Sequence, residues 1–437
     1  MEVFVVRLFS GRPVRDVQGP VRPARLVGPV RPSFRDLRFA LLLAGETVNS
    51  VGGWASAIVL WGFAAYRFNA SPYAVAVTVM CWAAPAAALS PLMGVYVDRF
   101  GPKQALLAGY VAAAAASLGM AAAGSLVQLD VAAVAYGMTR ALASPAAAAL
   151  PPRIVASDDL VAANSLLGAS GSAGQVVGPL VASAAMALFG FRAAFVLDAV
   201  SYLIGALVIL PLPILPADEE QSPGWLHELR AGIALVGRRG PLRLVTLVLA
   251  AITFTSGAFL VVEPLYARHV LHRPPSQFAL FEAAIGIGAI LGGLAMARIG
   301  DRLGSRLGGW KILSAGAAGY GLAACVFAGT TSIAVAYAGA FAWGIAGALF
   351  YTVALTTLQR VAPVQAHGRV MGVTATIQSA TDTIGQPLGG VTLAALGIRA
   401  GALSLAGVSV LAGACCFVTS FRRRAGGLPT ERGSPPA

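Results

Sequence analysis

Twelve apolar runs, each about 20 residues or longer, dominate the chain of 437 residues. A helix needs about 20 mostly apolar residues to cross a bilayer. Within hydrocarbon every backbone polar group must be satisfied inside its own segment, so such runs fold as helices. The first six cover Leu37–Ala65, Pro72–Tyr96, Gln104–Ala123, Leu126–Ala149, Leu160–Leu188 and Arg192–Leu212. The second six cover Pro241–Tyr266, Ser276–Ala297, Trp310–Ala328, Ser332–Thr357, Val370–Leu396 and Arg399–Phe421. Only 11% of the residues are charged and 57% are hydrophobic, whereas a soluble domain carries roughly a quarter charged residues. The pattern predicts an all-α membrane protein with 12 transmembrane helices.

Between the sixth and seventh runs, Gly224–Arg239 reads as an amphipathic helix lying on the membrane surface and joining two halves. The expected organisation is an Arg-rich disordered arm over 1–35 and a six-helix bundle over 36–212. A cytoplasmic linker follows over 213–240, then a second six-helix bundle over 241–421 and a basic disordered tail over 422–437. No cleavable signal is evident, because the first apolar run is too long and lacks a clear cleavage site.

Orientation follows from the basic residues, which concentrate on cytoplasmic loops. With the N-terminus inside, 25 of the 31 Lys and Arg fall on inside segments, five fall outside (Arg67, Arg192, Arg268, Arg273 and Arg399), and Arg140 lies within a helix. Both termini are therefore expected in the cytoplasm of a multi-pass protein of the cell membrane. The net charge of +13 is spread over loops rather than gathered on one domain, which argues against a nucleic-acid partner. Cys81, Cys325, Cys415 and Cys416 sit in apolar runs without metal spacing and read as core residues. The four His are scattered near loops, so no metal site is expected. The chain has no Gly-x-x-x-x-Gly-Lys-Ser/Thr loop, so ATP is not the expected energy source. No cofactor is implied, and no cluster of His, Asp or Ser at one face suggests an enzyme.

The two sets of helices echo each other. After the second run come Gly94, Asp98, Arg99, Gly101 and Lys103; after the eighth come Ala297, Asp301, Arg302, Gly304 and Arg306, 203 residues later. The stretch Phe189–Ala193 recurs as Leu396–Ala400, offset by 207. Two echoes at nearly one offset indicate duplication about an axis along the membrane normal. Such repeats hold substrate between the halves near mid-membrane.

The Gly94, Asp98, Arg99, Gly101, Lys103 segment resembles the signature between helices two and three of the major facilitator superfamily. Leu160–Leu166, Phe195–Ala199 and Pro264–Tyr266 resemble its multidrug-efflux branch, which includes macrolide and enterobactin exporters. The resemblance implies a gating role for the two cytoplasmic loops. The acid would form an ion pair only when the halves are close at that face, stabilising the outward-facing state; the alternative is ordinary positive-inside loop charge. The fifth run carries Gly171, Gly174, Gly178 and Pro179, which resemble the glycine-proline motif of proton-coupled exporters. The Gly pair that follows in that motif is replaced here by Leu180, Val181 and Ala182. Plain close packing of helices is the other reading.

Charges inside the membrane cost roughly 2.5–3.5 kcal/mol at the bilayer centre, so they are candidates for function. Glu46 lies nine residues from the inner start of its helix and Arg140 nine from the inner end of its own, which places both about 13–14 Å deep. Equal depth permits a pair. The resemblance implies that Glu46 carries the transported proton and that Arg140 senses its charge. A static ion pair orienting helices is the alternative. Asp198 and Asp382 are further candidates for proton coupling. Glu282 lies nearer the outer face, and Glu263 reads as an interface residue. Asn49, Trp54, Tyr136, Tyr202, Phe254 and Trp343 are candidates to line an apolar substrate cavity. The expectation is a monomeric, proton-driven exporter of amphipathic small molecules. An uptake symporter on the same fold and a non-transporting receptor or scaffold remain the alternatives.

Overall fold

A computed structural model describes residues 37–156, 159–213, 225–307, 309–363 and 366–425. The expected arm over 1–35 lies outside the described residues, as does 426–437. The long helices of the first half are α1 (Leu37–Gly62), α2 (Pro72–Phe100), α3 (Pro102–Ala122), α4 (Leu126–Ala148), α6 (Leu160–Phe189) and α7 (Phe191–Ile209), with a one-turn α5 (Pro151–Ile154) before α6. After α8 (Trp225–Arg238) come α9 (Gly240–His269), α10 (Pro275–Leu307), α11 (Gly309–Gly329), α12 (Ile333–Val361), α13 (His367–Leu396) and α14 (Ile398–Ala425). A short π-helix, Phe63–Arg67, prolongs α1. No strand occurs among the described residues.

Local chemistry sets the ends. Ser71 and Ser125 accept from the backbone N–H groups of Ala74 and Gln128, capping α2 and α4. Three helix pairs are joined through a single glycine: Gly101 (φ +89°), Gly190 (φ +80°) and Gly397 (φ +81°), a conformation open to glycine at no steric cost. Gly190 and Gly397 are the centres of the second sequence echo, so the repeat in sequence is a repeated turn. Pro179 in α6 and Pro387 in α13 form a further matched pair.

Among the described residues, ten helices are long and apolar enough to cross a membrane by length and composition. The remaining long helices, α4 and α13, carry Gln128, Asp130 and Arg140, and Gln378, Asp382 and Gln386, respectively. Both contribute polar side chains to the cavity described below.

The packing repeats as the sequence does. In the first half α1 lies against α6 and α7, α2 against α4, and α3 against α4 and α7. In the second half α9 lies against α13 and α14, α10 against α12, and α11 against α12 and α14. The halves meet along α2 with α13 and α6 with α10, a pair of contacts that the same two-fold relation exchanges. Helix α8 packs on α13, where Gly232 sits beside Val373 and the Arg369 carbonyl.

Small residues let these backbones approach, since apolar surface in lipid gives helices little reason to associate. A methyl group on Gly178 would stand 2.6 Å from the Trp54 Cβ. Of the cysteines, Cys416 is buried as expected for a core residue, whereas Cys415 is exposed on the outer surface of α14.

Candidate functional site

The first motif was expected in a loop. Instead α2 continues to Phe100, so Gly94, Asp98 and Arg99 sit on its last turns and only Gly101 links it to α3. With Gly101 in the left-handed region and Pro102 opening the next helix, no longer loop is needed. Asp301, Arg302, Gly304 and Arg306 likewise stand on α10. The side chains of Asp98 and of residues 301–308 lie outside the described ones. A Cβ on Gly94 would meet nothing within 4 Å, so this glycine is not at a tight contact here. Lys103 is nearly buried and its ammonium donates to the carbonyls of Leu210 (2.8 Å) and Leu212. It therefore ties α3 to the end of α7 within one half, satisfying carbonyls that the helix end leaves unpaired.

Among the described contacts, those between the halves concentrate at the end opposite the Arg/Lys-rich one and near mid-helix. Arg268 donates to the Ala65 carbonyl and Tyr66 to the Arg273 carbonyl (3.0 Å). Gly390 packs on Ala76, and Gly286 on Val176.

A cavity of about 520 Å³ opens among α1, α2, α3, α4, α6 and α7. Its walls include Glu46, Asn49, Trp54, Trp82, Tyr110, Tyr136, Arg140 and Tyr202. A second cavity of about 430 Å³ lies between the halves and includes Ser90, Thr253, Gln378 and Asp382. Trp82, Arg140 and Ser144 border both, so the two adjoin across these side chains as a two-part vestibule, with Glu46 on one part and Asp382 on the other.

Glu46 and Arg140 thus share a cavity, but no ion pair joins them among the described contacts. Tyr110 on α3 donates to a Glu46 oxygen. Arg140 instead lies over the Trp82 ring, its guanidinium carbon 4.0 Å from the ring centroid, a cation–π contact on the best of the aromatic partners. Equal depth was not enough to pair them: the Glu46 carboxyl takes the Tyr110 phenol and the Arg140 guanidinium takes the Trp82 ring. Asp382 accepts from the Gln386 amide at 3.3 Å. Asp198 is fully buried and accepts from Ser117 at 2.7 Å. The Tyr136 and Tyr202 hydroxyls are 3.0 Å apart.

Asn49, Trp54, Tyr136 and Tyr202 line the first cavity. Phe254 and Trp343 do not border either cavity. Trp343 is buried in an aromatic cluster of the second half with Phe259 and Tyr320, because its position on α12 turns it toward α9 and α11. Glu263, expected at an interface, is buried, and one of its oxygens has no partner among the described residues. On α6, a Cβ on Gly174 would strike Ser50, and one on Gly178 would strike Trp54; these glycines bring α6 against the cavity-lining face of α1. Sequence reasoning missed Tyr110, which sits in the Ala-rich third helix with no neighbouring polar residue to mark it.

Two repeated helical bundles, with polar side chains on cavities within the first and between the two, define a multi-pass transporter fold. The sequence profile of the Major Facilitator Superfamily matches residues 42–380 and 245–436, and the chain belongs to that family. It is 26% identical over 388 residues to the MFS-type transporter YfiS of Bacillus subtilis strain 168, covering 84% of this chain and 90% of that one. It is 28% identical over 387 residues to the MFS-type transporter y4rN of Sinorhizobium fredii strain NBRC 101917 / NGR234, covering 86% and 91%. Among solved structures, a POT family transporter in complex with 5-aminolevulinic acid superposes with a TM-score of 0.71 at 14% identity, covering 88% of this chain and 96% of that chain. The nucleoside transporter NupG (D323A mutant) gives 0.71 at 15%, covering 87% and 99%. These structures share the fold. The protein is a membrane transporter of the major facilitator kind.

Proposed function

We propose that the protein exports amphipathic small molecules from the cytoplasm by proton antiport and alternating access. The observation that carries this reading is the pair of adjoining cavities with Glu46 and Asp382 on their walls and Arg140 on both. A vestibule of several hundred Å³ suits a drug-sized organic molecule, and Trp54, Trp82 and the tyrosines offer it aromatic faces. Glu46 is the proton carrier. Its neutral form and its ion place different charge opposite Arg140, so loading a proton changes what the cavity attracts. Arg140 borders both cavities and is held by an aromatic face rather than by an acid, which leaves its charge available to substrate.

The Arg/Lys-rich end is the cytoplasmic one, by the distribution of basic residues, and the protein resides in the cell membrane with both termini inside. The halves are the two six-helix bundles over 36–212 and 241–421. The contacts through Arg268 and Tyr66 then hold the outer side closed, and the vestibule runs toward Ser90 and Ser144 on the cytoplasmic side. The Asp98/Arg99 and Asp301/Arg302 turns come together when that side closes.

Cells expressing the wild type are compared with cells expressing Glu46→Gln in ethidium efflux, with and without an uncoupler. Wild type lowers cell ethidium and the uncoupler abolishes the effect; Glu46→Gln does neither. Uncoupler-sensitive export at the wild-type rate by Glu46→Gln would remove Glu46 from the mechanism. Proton-dependent accumulation instead of depletion would make the protein an uptake symporter, and movement of no solute by purified protein in liposomes would favour a receptor or scaffold.

A further inference from the structure

Asp198 is sealed inside the first half, and no Lys or Arg pairs with it among the described contacts. It is on α7, where α1, α3 and α4 converge. Ser117 of α3 donates to one carboxyl oxygen at 2.7 Å. The other oxygen, Oδ1, has no hydrogen-bond partner among the described residues, although the hydroxyls of Ser56 on α1 and Tyr136 on α4 stand within reach of the carboxyl group. Among the described residues the Ser56 hydroxyl has no hydrogen-bond partner of close geometry either. Gly52 closes the remaining side, since a Cβ there would come 3.0 Å from Oδ1 and 2.1 Å from the Ser201 hydroxyl.

A polar knot that merely pins helices satisfies its members, because each unpaired buried group costs about 1–3 kcal/mol. This knot leaves one carboxyl oxygen open, with a phenol within reach of the carboxyl group. Tyr136 and Tyr202 both border the Glu46 cavity, and their hydroxyls are 3.0 Å apart. Tyr110, which donates to Glu46, has its ring 5.6 Å from that of Tyr202. Three phenols therefore stand between the carboxylate on the cavity wall and the carboxylate behind it.

We propose that Asp198 is a second proton-carrying site, reached from the cavity through the hydroxyls of Tyr202 and Tyr136. The proposal rests on the proton-antiport reading and extends it from one titrating carboxyl to two. A proton arriving from cavity water binds a lone pair of the Tyr202 hydroxyl as that group passes its own proton to Tyr136. Tyr136 in turn gives its proton to Asp198 Oδ1, so both phenols end neutral and the carboxylate becomes the acid. Release runs in the opposite order. The charged and titratable groups around Asp198 are Glu46 from α1, Tyr110 from α3, Tyr136 and Arg140 from α4, and Tyr202 from α7; α6, which also touches α7, carries no titratable residue. Arg140 is the one cation in this set.

The test is infrared difference spectroscopy of the full chain in lipid after a pH jump, following the carbonyl stretch of protonated carboxyl groups. This readout needs no substrate. The wild type is expected to show a carboxyl band that is lost in Asp198→Asn and kept in Glu46→Gln. In the double variant Tyr136→Phe, Tyr202→Phe the same band is expected to appear roughly 100-fold more slowly, the order of rate lost when a positioned proton-transfer group is removed. A spectrum unchanged in Asp198→Asn, or an unaltered rate in the tyrosine variant, overturns the proposal. If Asp198→Asn does not fold, the tyrosine variant decides, because Phe keeps the ring and loses only the hydroxyl. Loss of the band in Asp198→Asn together with full export by Glu46→Gln would sink the Glu46 coupling scheme and leave the buried proton site standing.

Discussion

Replacing Gly178 by Ala tests the contact that shapes the cavity wall. The added Cβ would lie 2.6 Å from the Trp54 Cβ and 3.0 Å from both the Ala55 nitrogen and the Val51 oxygen. Ordinary carbon contacts lie at about 3.5–4.0 Å, so α1 and α6 would have to separate by about 1 Å. Two of the three atoms are backbone and cannot rotate away. Overpacking of this kind costs about 1–3 kcal/mol. Alanine also gains up to about 1 kcal/mol over glycine in a helix, so the informative quantity is a difference. A methyl group added at Gly168, on the same helix, would meet nothing within 4 Å, and Gly168→Ala receives the helix gain without the clash. Gly178→Ala should therefore be less stable than Gly168→Ala by about 1–3 kcal/mol, a separation of a few degrees in Tm read by thermal unfolding of purified protein in detergent. Because Trp54 lines the cavity, ethidium efflux should fall in the first variant and persist in the second. Equal melting temperatures for the two variants would refute the close α1–α6 packing on which the cavity description depends.

Other perturbations follow from the same geometry. Arg268→Ala with Tyr66→Phe removes two hydrogen bonds joining the halves at the end away from the basic residues; at about 1 kcal/mol each, this should raise labelling of a single cysteine at that end severalfold. Lys103→Met should lower Tm by several degrees, because two carbonyls at the end of α7 lose a charged donor worth about 1.5–3 kcal/mol; Lys103→Arg should recover part of the loss. Gly257→Ala, whose methyl would come 2.0 Å from the Asp382 carbonyl oxygen, should be poorly expressed or unstable on size-exclusion chromatography, since α9 and α13 cannot separate without disturbing the vestibule.

Much of the fold could be read from the chain. The apolar runs located every long helix to within a few residues over most of their lengths, because a bilayer imposes a minimum length that no soluble core does. The main errors were at the Arg/Lys-rich ends: α10 runs to Leu307 and α14 to Ala425, each past the expected stop. Charged residues there lower the apparent hydropathy while leaving the helix intact, since the backbone can extend beyond the hydrocarbon. The same confusion turned the Asp98/Arg99 motif into a loop.

The candidate site was only partly legible. Glu46, Arg140, Asp198 and Asp382 announced themselves because charge is expensive in lipid, and each borders the vestibule or lies just behind it. Their partners did not. Tyr110 is an ordinary residue of an apolar helix, and although the aromatics as a group are cavity candidates, nothing local separates Trp82 beside Arg140 from Trp343 within the aromatic cluster of the second half.

The sequence by itself determined the helices, their order, the duplication and the place of each charged residue along its helix, since all of these depend on spacing along one chain. Only the tertiary structure decided who meets whom. Glu46 faces Tyr110 rather than Arg140, Arg140 stacks on Trp82, and Asp198 leans toward a pair of phenols, because each contact is fixed by how separate helices rotate and close on one another. In lipid that choice is made by small residues and shape rather than by a hydrophobic pattern that could be read in advance.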